Sequence, residues 1–312
     1  MTAAIISHAT CALHDNGHSY HPECAERLDA INNQLITSGV DWITHHYDAQ
    51  TATKDQLLRA HKAHYIEQIF ASAPSDAMSI DLDGDTSMNQ HSLAAALLAA
   101  GAATQAVDLV MDNTNQQQHA FCMVRPPGHH AGRAHSAGFC IFNNIAIAAQ
   151  HALAAHGLER VAIIDFDVHH GDGTEDIVQG DERILFCSSF QHPFYPYRGA
   201  DTQAANILNI PLPAGTASTT WREAVQQQWL PALARFQPEL ILISAGFDSH
   251  LEDDMGGFKL VEADYVWITE ELCQLAKRYS NGRIVSCLEG GYDFSSLGRS
   301  VAAHVKMLAE FS

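Results

Sequence analysis

The sequence predicts a three-layer α/β/α fold around a central, mainly parallel sheet of about eight strands. Short apolar runs alternate with helical patterns over all 312 residues, as expected when each strand is followed by a crossover helix. The apolar runs are unbroken, which is typical of parallel strands covered on both faces. No Pro/Ser-rich linker, low-complexity tract or internal repeat interrupts this pattern, so we expect residues 1–312 to form a single domain.

The composition limits the classes of partner. The formal net charge of −19 opposes binding to nucleic-acid phosphates, and it either attracts cationic substrates or serves only solubility. We expect no apolar segment of membrane-spanning length and no membrane partner. The first eight residues lack the features of a signal peptide, so a cytoplasmic protein is expected. Seven cysteines without a C-x-x-C pair indicate reduced thiols.

The first half of the chain predicts three strands and four helices. Residues 3–7 form a strand that leads into a histidine-rich loop, and residues 26–38 have helical spacing that ends at Gly39. The other predicted elements are a strand at 40–47, helices at 54–71 and 92–112 with an acidic loop at 81–86 between them, a strand at 120–124 and a helix at 137–156. The motif R-P-P-G-H-H follows the strand at 120–124, and its prolines hold the two histidines in an extended chain.

The second half predicts five more apolar strands, separated by helices or long loops. These strands cover residues 161–164, 184–188, 207–212, 240–245 and 284–288. The motifs H-H-G-D-G, A-G-F-D-S-H and E-G-G-Y-D each follow such a strand, as P-G-H-H does in the first half. Because ligands of open α/β sheets bind beyond the carboxyl ends of the strands, we expect these four loops to meet at one site.

The segment V-A-I-I-D-F-D-V-H-H-G-D-G-T-E, which begins at Val161, predicts part of a metal site. Asp165, Asp167 and His169 follow its apolar run at alternate positions, so their side chains are expected on one side where the strand ends. Two carboxylates in a poorly solvated place stay ionised only near cations. Nitrogen and oxygen ligands without thiolate favour zinc, and Fe(II), Mn(II) or Co(II) fit the same site. The alternative is a glycine-rich turn whose acidic residues cap a helix.

Asp248 follows the strand at 240–245 and is a third candidate ligand beside Asp167 and His169. Three protein ligands leave coordination positions for a water and a substrate oxygen, which is the arrangement of a catalytic metal. Two aspartates neutralise much of the charge of the metal. The reaction is therefore expected to need a separate base and a separate oxyanion donor.

The candidate bases are His129 and His130, which follow the Pro-Pro-Gly turn at the same edge of the sheet. Asp165 and Asp172 are the carboxylates available to fix the tautomers of the two rings. Tyr292 is the candidate oxyanion donor, because two glycines give its loop conformational freedom and its phenol can bind a carbonyl oxygen that becomes negative. An ordinary packed tyrosine is the alternative.

Together, P-P-G-H-H, D-F-D-V-H-H-G-D-G-T, S-A-G-F-D and L-E-G-G-Y-D resemble motifs of the zinc-dependent histone deacetylase family. The resemblance extends from near residue 21 to near residue 288, and the last two motifs are similar to class II members and their bacterial relatives. It implies the fold shared with arginases and one deacetylase catalytic domain over residues 1–312. It also implies that zinc is bound by the three candidate ligands, that the two histidines are the acid/base pair and that the tyrosine polarises the scissile carbonyl.

The resemblance implies further binding residues. An acyl-lysine channel would be walled by Gly138, Phe139 and Tyr195, and Arg27 would line an internal pocket beneath the metal. A structural potassium ion would bind near the zinc, and its ligands would be Asp165, Ser188 and the main-chain carbonyls of Asp167, His169 and Ser189. Asp83 and Asp85 lie where some relatives hold the substrate backbone, and a solvated acidic loop is the alternative.

The implied reaction is hydrolysis that removes acetyl or other acyl groups from lysine side chains of proteins or peptides. An acetylpolyamine amidohydrolase is the alternative, but Met255 stands where polyamine-selective relatives carry a glutamate. An arginase-like ureohydrolase would need a second metal, and a non-catalytic acyl-lysine binding module would not need the catalytic residues. The expected partner is an acylated lysine peptide or protein, or an acetylated small amine; the acyl chain length, the native metal and the formation of a homo-oligomer stay open.

Overall fold

A computed structural model of the chain describes residues 3–17, 20–76, 78–114 and 117–311. Its strands are β1 (Ala3–Ser7), β2 (Thr44–Asp48), β3 (Ile80–Asp81), β4 (Ser87–Met88), β5 (His119–Cys122), β6 (Val161–Asp165), β7 (Ile184–Gln191), β8 (Ile207–Leu212), β9 (Leu240–Ala245) and β10 (Ile284–Leu288). Its α-helices are α1 (Glu26–Ser38), α2 (Lys54–Leu58), α3 (Ala63–Ser72), α4 (Ser92–Met111), α5 (Asn144–His156), α6 (Asp172–Val178), α7 (Ser218–Phe236), α8 (Glu262–Tyr279) and α9 (Phe294–Glu310). Short 3₁₀ helices cover Ala9–Leu13 and Val40–Ile43.

Eight strands form one sheet in the order β2-β1-β5-β10-β9-β6-β7-β8, and each neighbouring pair is parallel. This confirms the predicted sheet. The four strands that precede the polar motifs, β5, β10, β9 and β6, are consecutive in this order. Their carboxyl ends therefore bring the four loops together. The separate antiparallel pair β3–β4 flanks the predicted acidic loop.

Helices cover both faces of the sheet, which confirms the three layers. Helices α4 and α5 pack against the central strands on one side, while α1, α7, α8 and α9 form the other layer. Every residue of β5, β6, β9 and β10 is buried. Burying a Val, Leu or Ile side chain stabilises the folded state by about 1.5–3 kcal/mol. Because such buried side chains are closely packed, the sheet is a rigid support for the loops at its edge.

Helix α4 corrects one expectation. Its 20 residues are long and apolar enough to cross a membrane by length and composition, whereas the sequence analysis expects no such segment. In the structure, 67% of an apolar 18-residue stretch of this helix is buried inside the protein, as in the core helix of a globular protein. The helix packs closely: a Cβ atom at Gly101 would lie 1.7 Å from the main-chain oxygen of Gln50.

Two predicted elements in the first half are interrupted. The predicted strand at 40–47 begins as the 3₁₀ helix Val40–Ile43, because Gly39 adopts the left-handed conformation (φ 77°) that ends α1. The predicted helix at 54–71 is divided into α2 and α3. Between them, Lys62 donates its N–H to the carbonyl of Arg133 (2.7 Å), a bond to a distant part of the chain. Tertiary contacts thus override the local helical pattern.

The predicted helix at 137–156 starts later, at Asn144. The preceding residues form a turn in which Gly138 (φ 53°) and Phe139 (φ 69°) have left-handed conformations. The side chain of Asn143 then accepts the N–H of Ala146 (2.9 Å) and caps α5. The early part of this segment is therefore available to form a wall of the site.

Candidate active site

The carboxyl ends of the central strands surround a cavity of about 320 Å³. Its lining combines aromatic side chains with a few titratable ones, which is typical of a site for a small ligand or a side chain. The lining residues are Asp85, His130, Gly138, Phe139, His169, Phe194, Tyr195, Asp254, Met255 and Tyr292. Loops after β5, β6, β9 and β10 all contribute to this cavity or to the groups directly behind it.

Asp167, His169 and Asp248 lie close together, and one potential ligand atom from each lies within 4.8 Å of the others. His169 of this group lines the cavity. His169 Nδ1 is 3.1 Å from Asp167 Oδ1 and 3.1 Å from Asp248 Oδ2. Both aspartates are fully buried and the histidine is 8% exposed. The structure therefore brings together the three residues predicted as metal ligands.

The charges of this group favour a bound cation. Burial and the neighbouring charge of Asp167 raise the pKa of Asp248 to about 7. Burial alone would lower the pKa of His169, but its bonds to the two aspartates raise this pKa to about 10. Buried carboxylates this close together need a compensating positive charge. Two oxygen donors and one nitrogen donor without thiolate fit zinc or another divalent transition metal.

Asp165 does not belong to this group, although alternation predicts that it points to the same side as Asp167 and His169. Strand β6 ends at Asp165, so the period of two no longer applies to the residues after it. Asp165 Oδ2 instead lies 3.0 Å from Nδ1 of His129.

A second group of possible ligands, Asp108, His151 and His156, is explained by hydrogen bonds. Arg59 donates to Nδ1 of His151 (2.6 Å), which leaves the proton of that ring on Nε2, 2.7 Å from Asp108 Oδ1. Nε2 of His156 also lies 2.7 Å from this oxygen. A metal on Nε2 of His151 would require a proton on Nδ1, facing the Arg59 guanidinium. This arrangement favours a hydrogen-bonded chain over a metal site.

The two tandem histidines each have a carboxylate behind them. Nδ1 of His129 faces Asp165 (3.0 Å) and Nδ1 of His130 faces Asp172 (2.8 Å), and the ring centroids are 4.0 Å apart. Burial would lower the pKa of His129, but Asp167 and Asp165 raise it well above 6.5. Burial and the nearby His129 lower the pKa of His130 to about 4.

The positions of the two rings differ. His130 lines the cavity, whereas His129 lies behind it with Nε2 3.8 Å from Asp167 Oδ2. Because Nδ1 of His130 is paired with Asp172, its Nε2 is the nitrogen left for proton exchange. His129 and His130, which are predicted as an acid/base pair, therefore have different surroundings.

Tyr292 lines the cavity, and burial raises its pKa well above 10. Its phenol therefore stays protonated and can donate a hydrogen bond. The guanidinium carbon of Arg27 is 5.0 Å from the centroid of the Tyr292 ring, and Arg27 Nε donates to the carbonyl of Gly291 (2.7 Å).

The internal pocket that the resemblance implies around Arg27 stays a prediction. A cavity of about 370 Å³ is lined by Glu23, Arg125 and ten other residues. Arg27 is fully buried because its guanidinium is used by Glu23 (3.2 Å) and by the carbonyls before Tyr292. Its bonds to these carbonyls support the tyrosine loop.

Aromatic rings form the channel walls. Phe139 meets Tyr292 edge to face, with centroids 6.1 Å apart, and Tyr195 is 5.1 Å from His130 in the same arrangement. Phe194, which the sequence analysis misses, stacks on His169 with centroids 5.3 Å apart and planes at 19°. The sequence feature that could have identified Phe194 is its position next to Tyr195 in the loop after β7.

Gly138 and the acidic loop support the Phe139 wall. A Cβ atom at Gly138 would lie 2.3 Å from His130 Cδ2, so only glycine fits beside this ring. The N–H of Gly138 is 3.2 Å from Asp85 Oδ1, and the N–H of Phe139 is 3.0 Å from the hydroxyl of Thr86. Asp85 also lines the cavity, while Asp83 Oδ1 accepts main-chain N–H groups of its own loop.

The residues predicted to bind potassium lie next to the metal group. Asp165 and Ser188 are direct neighbours in the β6–β7 pairing, and both are fully buried. The hydroxyl of Ser188 is 3.0 Å from Nδ1 of His170. The side chain of Ser189 accepts the indole N–H of Trp221 (3.0 Å). The group of Ser189 that is predicted to bind potassium is its main-chain carbonyl.

Glu289 is a buried residue of the site that the sequence analysis does not identify. Its Oε2 accepts the N–H groups of Gly128 (2.7 Å) and His129 (3.1 Å), and its Oε1 accepts the hydroxyl of Ser244 (3.1 Å). Burial raises its pKa to about 7. The carboxylate thus supports the loop that carries the tandem histidines. The sequence feature that could have identified Glu289 is a charged residue directly after an apolar strand.

Known proteins share most of this sequence pattern. The family model described as the histone deacetylase domain matches residues 21–308. The chain belongs to the histone deacetylase family. It is 35% identical to histone deacetylase 14, chloroplastic, of Arabidopsis thaliana, over 98% of this chain and 77% of that protein.

Two other members are similar over most of their length. The histone deacetylase-like amidohydrolase of Pseudomonas aeruginosa is 37% identical, over 88% of this chain and 73% of that protein. The crystal structure of the HDA15 HD domain superposes with a TM-score of 0.92 at 33% identity and covers 99% of this chain and 88% of its own. The histone deacetylase fold predicted from the motifs is therefore confirmed.

Proposed function

We propose that this member of the histone deacetylase family is a zinc-dependent amidohydrolase that removes acetyl or other acyl groups from lysine side chains. The observation that carries the proposal is one cavity with three parts of a hydrolytic site. His169 of the buried Asp167–His169–Asp248 group lines it, and so do His130 and Tyr292. Its aromatic walls fit the uncharged amide end of an acyl-lysine side chain.

A divalent cation on the three ligands would supply a Lewis acid that polarises the carbonyl and makes a water molecule more acidic. His130 accepts the proton of the attacking water at Nε2, since its Nδ1 is held by Asp172 (2.8 Å). The same nitrogen then gives the proton to the lysine amine as the C–N bond breaks. The products are the carboxylic acid and the free amine, which then ionise to carboxylate and ammonium.

Tyr292 and His129 have supporting roles in the proposal. The protonated phenol of Tyr292 donates a hydrogen bond to the carbonyl oxygen as negative charge develops there. His129, paired with Asp165, supplies a positive partner for the aspartates and keeps the neighbouring ring in position. An acyl-lysine side chain between the aromatic walls would displace water from the cavity, which strengthens these electrostatic interactions.

We propose that acyl-lysine is preferred over acetylpolyamines. Met255 presents an apolar side chain to a cavity that already contains three aromatic wall residues. Beside Met255, a distal ammonium group would lose hydration and would not gain the carboxylate partner that a glutamate at this position provides. Asp254 and Asp85 also line the cavity, and they are the observation that keeps the acetylpolyamine amidohydrolase as the second candidate.

The test compares kcat/KM of the zinc-loaded protein for an acetyl-lysine peptide, longer acyl peptides, N-acetylputrescine and N8-acetylspermidine. We expect the peptide to be the better substrate, and Met255→Glu to shift the ratio toward the polyamines by about tenfold. The matched control is Glu252→Gln, which changes an exposed acid of the same loop. A wild-type preference for the polyamines would move the function to the second candidate.

We also propose that potassium binds beside the metal group, through Asp165, Ser188 and the main chains of Asp167, His169 and Ser189. The proposed setting is cytoplasmic, with residues 1–312 acting as one catalytic domain and with neither nucleic acid nor membrane as partner. The net charge of −19 supports the absence of a nucleic-acid partner. The seven free cysteines, of which six are buried, support the cytoplasmic setting.

A further inference from the structure

Asp253 is a buried carboxylate that connects two loops of the site. It is 4% exposed, although it lies in the acidic run L-E-D-D-M, and it is not among the residues that line the cavity. Its Oδ2 accepts the N–H groups of Tyr292 (2.6 Å) and Asp293 (3.1 Å), and its Oδ1 accepts the N–H of Met255 (2.9 Å). One side chain thus joins the loop after β9 to the loop after β10.

The surroundings explain why this side chain is a carboxylate. Bonds from N–H groups to an ionised acceptor are shorter and about twice as strong as neutral ones. Asp293 is the N-cap of α9, a helix of 17 residues. The carboxylate of Asp253 therefore lies at the positive end of a helix dipole, which stabilises its negative charge.

The tyrosine loop needs such a support because glycines precede it. Gly291 has φ 119°, a conformation that is rare for other residues, and Gly290 donates its N–H to Asp167 Oδ2 (2.9 Å). Arg27 holds the carbonyl of Gly291 on one side. Asp253 holds the N–H of Tyr292 on the other side, so the backbone of Tyr292 is fixed from both directions.

We infer that Asp253 is a positioning residue that sets the direction of the Tyr292 hydroxyl and keeps Met255 in the channel wall. Its effect on turnover rests on the proposed deacetylase function, whereas the connection between the loops does not. Asp253 contacts neither the substrate nor the metal group in this role and acts through Tyr292. Its neighbours differ: Glu252 pairs with Arg299 on the surface (2.7 Å), and Asp254 lines the cavity.

The first measurement does not depend on activity. Asp253→Ala removes both carboxylate oxygens, so the N–H groups of Met255, Tyr292 and Asp293 all lose their acceptor. Hydrogen exchange should become about tenfold faster or more at the main chain of residues 255 and 292–293, and should stay unchanged in β6. If the alanine variant does not fold, Asp253→Ser replaces it.

The second measurement is a double-mutant cycle with an acetyl-lysine peptide. Asp253→Ala should lower kcat by about 10- to 100-fold and change KM by less than about threefold, because orientation of the donor is lost. In a Tyr292→Phe background the same substitution should cost less than about threefold, since the hydroxyl is already absent. The zinc content of all variants should stay equal, and the control Glu252→Gln should match the wild type.

Unchanged exchange at residues 255 and 292–293 would overturn the inference. Faster exchange with an unchanged kcat, or with an equal loss of kcat in both backgrounds, would overturn the positioning role. If the wild type hydrolyses no acetyl-lysine peptide, the proposed function fails, while the exchange data still decide whether Asp253 holds the two loops.

Discussion

At the scale of residues, the site depends on a few polar groups held by buried partners. Tyr292 is the side chain whose contribution is easiest to isolate. Its ring is held by Arg27 (5.0 Å) and faces Phe139 (6.1 Å), and neither contact uses the hydroxyl. Removing only the oxygen should therefore leave the fold intact.

We expect Tyr292→Phe to lose about 10²–10³-fold in kcat, the scale for one oxyanion donor, with its melting temperature within a few degrees of the wild type. Steady-state kinetics on an acetyl-lysine peptide and a thermal melt provide the comparison. Turnover within a few-fold of the wild type would make Tyr292 a packing residue.

Glu289 gives a second prediction at this scale. Its two oxygens accept three donors, and a glutamine can keep the pair at Gly128 and His129 while its amide donates to Ser244. Glu289→Ala leaves these buried donors without a partner, which costs about 1–3 kcal/mol for each. We therefore expect the alanine variant to be clearly less stable and less active, and the glutamine variant to stay close to the wild type. Denaturant unfolding and kcat of both variants test this order, and equal losses would contradict it.

At the scale of elements, the order of the strands explains why four distant motifs form one site. The loops after β5, β6, β9 and β10 meet because these strands are neighbours. The apolar runs predict the strands, and the motifs predict the site, since both signals are local. The order of the strands in the sheet cannot be predicted from a local pattern of residues.

The missed features have non-local causes. The break between α2 and α3 depends on a bond from Lys62 to Arg133, and the late start of α5 depends on the turn at Gly138. Phe194 and Glu289 are ordinary residues in sequence and become part of the site only through their neighbours in space. Alternation predicts Asp165 on the same side as Asp167 and His169, but alternation ends with the strand. Its carboxylate lies against His129, as the sequence predicts for a carboxylate behind the histidines.

A pH prediction concerns the packing of α9 on α8 and β10. His304 of α9 is fully buried, and its ring nitrogens contact Thr269 of α8 (2.6 Å) and Ser286 of β10 (2.9 Å). Burial lowers the pKa of His304 to about 3, against about 6.5 in an unfolded chain. As the pH falls below 6.5 the unfolded state takes up the proton first, so stability is lost toward acid pH.

The expected loss from His304 between pH 7 and pH 5 is about 2 kcal/mol. In His304→Gln the free energy of unfolding should be lower at pH 7 but should fall less between these two pH values. Urea unfolding at both pH values measures this, and the exposed His64→Gln serves as control. An equal pH dependence in wild type and His304→Gln would contradict the assignment.

At the scale of the whole molecule, the sheet brings together charges that oppose folding unless a cation is bound. The chain has a net charge of −19, and two of its carboxylates are fully buried within the metal group. A ligand that binds only the folded state stabilises it, by about 4 kcal/mol at a concentration 1,000 times its Kd. Metal binding and folding should therefore be coupled in this protein.

The last prediction uses this coupling. Zinc should raise the melting temperature of the metal-free wild type, and a chelator should reverse the increase. Asp248→Ala removes one ligand and one of the two repelling carboxylates. Its zinc affinity should fall by at least about 100-fold, while its metal-free form should be as stable as the metal-free wild type or more so. Metal analysis and thermal melts with and without zinc test both statements without an activity assay. An Asp248→Ala protein that retains one equivalent of zinc and the full shift in melting temperature would contradict the ligand assignment, because the remaining aspartate and histidine should not hold the ion as tightly as all three ligands do.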